Sequence, residues 1–301
     1  VYRSHLRGRP KGVFVVRFVL SFFGSIFSWV VTGLVFIALI LGGVFWIYGR
    51  DLPSHETLAQ YTPKTISRIY SGEGMLIDEF AEERRIFVPS EEIPDLVKHA
   101  FVSAEDKFFY THHGYDPRGM AAAAVEAVRT RGESVRGAST ITQQVMKNFL
   151  LDSSRSVERK VKELILATRL ERTLSKDKIL ELYLNEIFLG YRSYGIASAA
   201  YNYFGKSLAQ LTPDEAAFLA ALPKGPNNYH PKRHPGAAKG RRDWVLGEME
   251  QSGWITGAEL QQARARPLNT PALNRPRPSI ISATVEKTNI VRLAPCSSSQ
   301  F

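Results

Sequence analysis

From Phe18 to Tyr48 the chain carries no charged residue, and the later part, VVTGLVFIALILGGVFWIY, is apolar almost throughout. A helix needs ~20 such residues to cross the hydrocarbon core of a bilayer, so this tract is long enough to span one. Arg3, Arg7, Arg9, Lys11 and Arg17 precede it with no acid among them, and Trp29, Trp46 and Tyr48 stand where interfacial aromatics are expected. A cleaved signal peptide shares the basic start, but its apolar region is only ~7–15 residues and ends in small residues. The tract here is longer and runs into WIYGRDLP, which favours an uncleaved anchor. The basic arm then stays in the cytoplasm and everything after Arg50 lies outside.

The same arrangement explains the charge. Among 301 residues, 39 Lys and Arg against 29 Asp and Glu leave a net charge of +10, a balance that fits nucleic acid or an anionic surface. Five of those cations sit directly ahead of the span, which argues for the membrane surface and against nucleic acid. The single cysteine, Cys296, has no partner, so no disulfide framework exists.

Beyond the span, residues 49–87 mix prolines and glycines with the short runs TISRIYS and GMLIDEF, separated by SGEG, a pattern for a linker and a small β-hairpin. From Val88 the texture becomes helical. Ser90 is placed as an N-cap with Glu91 and Glu92 in the first turn, followed by Leu96, Val97, Ala100, Phe101 and Ala104 at helical spacing. MAAAAVEAVRT reads as the next helix, and RGESVRGAS as a loop feeding ITQQVMKNFLL, capped by Ser139 or Thr140. In SVERKVKELILATRLERTL, the residues Val157, Val161, Leu164, Ile165 and Thr168 form one stripe, with Lys160 and Glu163 on its flank. KDKILELYLNEIFLG is apolar on most faces and is expected to be buried. Thr212 with Glu215 and Thr256 with Glu259 make capping boxes for two of the later helices. The domain limits expected are 1–17 for the basic arm, 18–48 for the anchor, 49–87 for the linker and strands, 88–266 for the helical domain and 267–301 for a Pro-rich, disordered tail.

Within the helical domain one stretch concentrates chemistry. VSAEDKFFYTHHGYD, Val102 to Asp116, sets adjacent carboxylates, Glu105 and Asp106, at a helix end beside aromatics, histidines and a glycine. Aromatic walls desolvate a carboxylate and raise its pKa, which poises a general acid or base. Taken alone, a helix end that happens to carry two acids is the better explanation. Lys160 and Glu163 have a similarly plain alternative, a solvated i,i+3 ion pair. His112, His113 and Asp116 also offer the ligand types of a zinc site. Adjacent histidines in a loop point apart and no H-E-x-x-H occurs, so a structural or substrate-orienting role fits better.

Five motifs in order give these residues a common frame. ED-x-x-F-x-x-H-x-G occurs as Glu105, Asp106, Phe109, His112 and Gly114. G-x-S-T-I-T-Q-Q runs from Gly137 to Gln144, R-K-x-x-E is Arg159, Lys160 and Glu163, K-x-x-I-L-E-x-Y-L-N runs from Lys176 to Asn185, and R-R-x-x-V-L from Arg241 to Leu246. Together, over residues 65–265 and behind an anchor, they resemble the family 51 glycosyltransferases, the peptidoglycan-polymerising domain of class A penicillin-binding proteins. The resemblance implies a mainly α fold: a lysozyme-like glycosyltransferase head with a smaller membrane-proximal jaw, preceded by one transmembrane helix.

It also implies a reaction. Lipid-linked disaccharide-peptide (lipid II) is joined into β-1,4 glycan strands with inversion at the anomeric carbon and release of polyprenyl pyrophosphate. Glu105 matches the general base and Glu163 the second catalytic glutamate, on the leaving-group side. Lys147, Arg155 and Lys160 match positions near the pyrophosphate, and Ser139, Thr140, Gln143, Gln144, Asp106, His112 and Arg159 complete the implied substrate-binding set. Magnesium is implied as a substrate-associated cation, through the pyrophosphate and Glu163, with no dedicated metal site. Expected partners are lipid II, the growing strand, the bilayer and other cell-wall synthesis proteins, at the bacterial cytoplasmic (inner) membrane. Transpeptidation is not expected: the S-x-x-K at Ser175–Lys178 opens the fourth motif, and Lys287-Thr288-Asn289 lacks the glycine of K-T-G.

Two rival functions use the same residues. A lysozyme-like hydrolase also flanks a sugar bond with two carboxylates, but has no need of Lys147, Arg155 and Lys160. A non-catalytic membrane-anchored scaffold would bind cell-wall precursors without turnover.

Overall fold

The computed structural model describes residues 11–50, 52, 67–70, 76–80, 84–131, 137, 139–150 and 156–271. It is mostly helical and divides into two compact units, Val1–Tyr61 with His112–Ser175, and Thr62–Thr111 with Lys176–Phe301. The tail expected from Pro267 falls outside the described residues after Pro271, as does Arg155.

The first unit holds helices α1 (Lys11–Gly49), α3 (Pro117–Arg129), α4 (Ile141–Leu150) and α5 (Val157–Thr173). Within α1, Leu20–Gly49 is a candidate membrane span of 30 residues with mean hydropathy 2.6, and none of its apolar window is buried by the protein. At its C-terminal end the Arg50 guanidinium lies 4.4 Å from the Trp46 ring centroid. The Arg169 guanidinium on α5 donates to the Gly49 carbonyl at 3.2 Å, satisfying a terminal carbonyl that the helix itself leaves unpaired.

Helix α3 begins where Asp116 accepts a hydrogen bond from the Arg118 N–H, with Pro117 in the first turn. Its outer face keeps Val125 and Val128 67% and 81% exposed, an apolar stripe that no described residue covers. Thr140 rather than Ser139 caps α4, its hydroxyl accepting from the Gln143 N–H at 3.2 Å. On α5 the buried face is Glu163, Leu166, Ala167 and Leu170, with Ile165 beside it, whereas Val161, Leu164 and Thr168 are half-exposed. The stripe expected from hydrophobicity is therefore rotated. Glu163 belongs to the inward face and not to its flank, because its carboxylate is held by cations once inside.

The second unit holds β1 (Ser67–Tyr70), β2 (Leu76–Phe80), β3 (Arg84–Arg85), α2 (Asp95–Glu105), α6 (Lys176–Glu186), β4 (Ser193–Tyr194), α7 (Ile196–Phe204), α8 (Pro213–Ala221), α9 (Pro235–Gln251) and α10 (Gly257–Ala265). The expected hairpin forms, β1 antiparallel to β2 with Ser67 opposite Phe80 and Ile69 opposite Asp78. Ser90 does not cap α2. It opens a 3-10 turn, Ser90–Glu92, after which Pro94 restarts the chain as α2's N-cap; proline lacks the N–H that a continuous helix would need. The core gathers Val97, Ala100 and Phe101 of α2 with α8 (Phe218, Leu219) and α9 (Val245, Leu246, Met249), all buried.

Both expected capping boxes are present, at Thr212/Glu215 and Thr256/Glu259. In the fifth motif Arg242 is fully buried; it pairs with Asp243 at 2.7 Å and donates to the carbonyls of Arg264 and Arg266. Arg242 thus ties the end of α10 to α9, a fold-supporting task. Of the aromatic residues between α6 and α8, Tyr203 and Phe204 pack in the core beside Phe218, while Tyr201 is exposed.

Candidate active site

The second and third motifs lie in the first unit and the fourth and fifth in the second. The first motif is divided, Glu105, Asp106 and Phe109 in the second unit and His112 and Gly114 in the first. In the first unit, Lys160 is the hub. Its ammonium donates to Ser139 Oγ at 2.8 Å, to Gln143 Oε1 at 3.1 Å and to Glu163 Oε2 at 2.8 Å. The other carboxylate oxygen, Glu163 Oε1, stands 3.1 Å from Arg159 Nε, an ion pair without hydrogen-bond alignment. Glu163 is only 3% exposed, so burial demands this pairing: an isolated carboxylate there would be heavily penalised. The plain i,i+3 pair does form. One end of it is buried, however, and the lysine also ties the second motif to the third. The G-x-S-T-I-T-Q-Q loop is locked from beneath, since Thr140 donates to the Gly114 carbonyl at 2.8 Å.

Gly114 explains its own identity. Its φ is +93°, and a Cβ there would stand 2.8 Å from the backbone of Ala167 and Thr168 on α5. Only glycine allows so close an approach in that conformation. Gly114→Ala is expected to destabilise the protein by about 2–4 kcal/mol, read as a fall in melting temperature, because the obstacle is backbone and cannot rotate away. Next to it, His112 is buried, and its Nδ1 accepts from the Gly114 N–H at 3.2 Å. Glu171, which the sequence reading passed over, lies 3.8 Å from His112 Nδ1 and accepts from the Thr142 hydroxyl at 2.6 Å. Its signal was faint: one more acid near the end of a charged helix. His113 is exposed, Asp116 serves as a cap, and no three His, Cys, Asp or Glu side chains among the described residues cluster as a metal site. Lys147 sits exposed in the last turn of α4, outside the Lys160 network, and Gln144 is half-buried on the same helix.

In the second unit, Glu105 is the last residue of α2, half-buried, and Asp106 follows it, buried. The Asp106 N–H donates to the Val102 carbonyl at 2.9 Å, and its own carbonyl accepts from the Phe109 N–H at 3.0 Å. That turn fixes the end of the helix. Phe109 is buried and lies 4.5 Å from the Lys176 ammonium, a cation–π contact joining the first motif to the fourth. On α6, Glu181 accepts from the Ser90 N–H at 2.9 Å and pairs with Lys178. Asn185 accepts from the Val88 N–H at 2.8 Å and donates to the Val88 carbonyl at 2.9 Å. Most of the fourth motif therefore builds the floor on which the second unit stands, as its expected burial foretold.

Comparison with known proteins gives the family of the chain. A family model described as Transglycosylase matches residues 73–250, more than half of the chain. Penicillin-binding protein 1A of Rickettsia bellii (strain RML369-C) is 46% identical over 231 residues, covering 76% of this chain and 29% of that protein. Penicillin-binding protein 1A of Escherichia coli (strain K12) is 44% identical over 239 residues (77% and 28%), and that of Neisseria flavescens 49% over 212 residues (70% and 26%). The chain thus spans less than a third of the length of these relatives. Among solved structures, penicillin-binding protein 1A from Haemophilus influenzae aligns with 69% of this chain and 21% of that one, at 28% identity and a TM-score of 0.39. With the motifs standing where the family match runs, the chain belongs to the transglycosylase family.

Proposed function

We propose that this chain is a peptidoglycan glycosyltransferase that polymerises lipid-linked disaccharide-peptide into β-1,4 glycan with inversion, releasing polyprenyl pyrophosphate. The observation that carries the reading is the Lys160 hub: a buried glutamate, Glu163, held between Lys160 and Arg159 on the helix of the third motif. Hydrolysis of a neutral glycan has no use for such a concentration of positive charge. Departure of a pyrophosphate does, because fixed cations stabilise the charge that develops on it.

In this reading Glu105 takes the proton from the acceptor hydroxyl and Glu163 serves the leaving-group side, with Lys160, Arg159, Lys147 and Arg155 as the phosphate-directed cations. Ser139, Thr140, Gln143 and Gln144 shape the substrate-binding loop, and Asp106 and His112 support it. Magnesium fits as an ion carried on the substrate's pyrophosphate. Glu163 would be its protein ligand, since magnesium is commonly held by one or two carboxylates plus phosphate oxygens. When bound it would add neutralisation of the leaving group.

The anchor and the exposed stripe of α3 (Val125, Val128) support action at a bilayer, with the N-terminal arm on the cytoplasmic side and the catalytic residues outside. Removing residues 1–50 is therefore expected to leave a folded enzyme that turns over vesicle-embedded substrate several-fold more slowly. Comparing rates in vesicles and in detergent checks this, and equal loss in both would point to damage at the Arg169–Gly49 contact instead.

The direct test is incubation of the detergent-solubilised chain with lipid-linked disaccharide-pentapeptide and magnesium. Glycan polymer is the expected product. Shortening of preformed glycan, with no polymer, would favour the hydrolase; substrate binding with neither product would favour the scaffold.

A further inference from the structure

In the fourth motif Glu181 and Asn185 clamp residues 88–90, Lys178 neutralises Glu181, and Lys176 covers Phe109. Tyr183, in the middle of the same helix, has no such task. Its side chain is 1% exposed, and its buried hydroxyl has no hydrogen-bond partner among the described residues. A phenylalanine would fill the same space with no polar atom to satisfy, so packing alone does not call for the hydroxyl.

The position of that hydroxyl is informative. The Tyr183 ring meets the Phe101 ring edge-on, centroids 6.3 Å apart at 74°. Phe101 and Glu105 are four residues apart on α2, hence on one face of the helix, so the tyrosine packs on the face that ends in Glu105. The electrostatics agree with the packing. Burial is the main cause of a strongly raised phenol pKa, and the carboxylates of Glu105 and then Asp106 push it further. The phenol therefore keeps its proton and remains a hydrogen-bond donor at any physiological pH.

We propose that Tyr183 is a positioning residue for Glu105: with the acceptor sugar bound, its hydroxyl donates to the Glu105 carboxylate, directly or through one buried water, and fixes the oxygen that receives the proton. This inference rests on the reading of Glu105 as general base. It assigns a use to a buried hydroxyl that no described residue pairs.

The test is Tyr183→Phe in the full chain, assayed with lipid-linked disaccharide-pentapeptide and magnesium in detergent, beside wild type and Glu105→Gln. Tyr183→Phe is expected to lower kcat about 10- to 100-fold, with KM within about twofold, because it removes orientation of a general base rather than binding. Its melting temperature should equal or exceed that of wild type. A purely structural tyrosine would give the opposite signature, a lower melting temperature with kcat preserved, and that result overturns the proposal. Wild-type kcat in Tyr183→Phe, with Glu105→Gln inactive, removes the positioning role and leaves the base in place. Full turnover by Glu105→Gln removes the base itself, and Tyr183's role with it.

Discussion

Glu105→Gln is expected to end polymerisation, with kcat reduced about 10³-fold or more, while the protein stays folded and keeps its lipid substrate. A general base contributes roughly 10²–10⁴ in rate, and the amide has the shape of the carboxylate without its affinity for a proton. Little else should change. Glu105 ends α2, whose hold on the unit comes from the buried Val97, Ala100, Phe101 and Val102 one to two turns earlier. The side chain itself is half-buried, so exchanging oxygen for nitrogen at its tip should alter stability by about 0.5 kcal/mol or less. Three readouts separate the explanations: polymer formed, lipid substrate retained, and melting temperature. Lost polymer with the other two intact assigns Glu105 to the chemical step. A fall in melting temperature of several degrees would instead make it a helix-end support.

Much of this architecture was legible before any coordinates, and the reasons differ by element. The long N-terminal helix could be read because an uncharged, apolar tract from Phe18 to Tyr48 has few other physical outcomes, and by length and composition it is a candidate span. The hairpin at SGEG and the capping boxes at Thr212 and Thr256 could be read because turn and cap chemistry is local. Two readings failed although the deciding residues lie close by in sequence. Ser90 looks like an N-cap until Pro94, four residues on and without an N–H, resets the helix. The α5 stripe looks apolar until Glu163 turns inward, which only the cations around it make tolerable. Glu171 and Tyr183 were silent because the residues they meet, His112 and Thr142 for one and Phe101 for the other, are remote in sequence. A glutamate reads as solvated and a tyrosine in ILELYLN as core, and nothing local marks the histidine or the unsatisfied hydroxyl that sets them apart.

The Lys160 hub leads to the second large effect. Lys160→Ala is expected to lower kcat about 10²-fold or more while costing only about 1–2 kcal/mol of stability. The rate effect follows from removing a fixed cation beside a departing pyrophosphate; loss of a single preorganised charge-stabilising group commonly costs 10²–10³ in rate. Two opposing features set the stability effect. Glu163 is buried, and a buried carboxylate stripped of its whole partner set would cost about 3–5 kcal/mol. The Lys160 side chain is 47% exposed, however, and Arg159 remains 3.1 Å from the other oxygen, so water and the arginine recover most of that penalty. Ser139 and Gln143 lose a donor but lie where water can replace it, given that Ser139 is half-exposed. The comparison variant is Lys160→Arg, which keeps the charge but replaces a compact ammonium serving three acceptors with a planar fork. Partial turnover in Lys160→Arg, with little in Lys160→Ala and similar melting temperatures in both, would show that positive charge at this point drives the reaction. If Lys160→Ala unfolds instead, by far more than 2 kcal/mol, the lysine's main work is holding Glu163 and the second-motif loop together, and the phosphate-directed charge must come from Arg159 and Lys147.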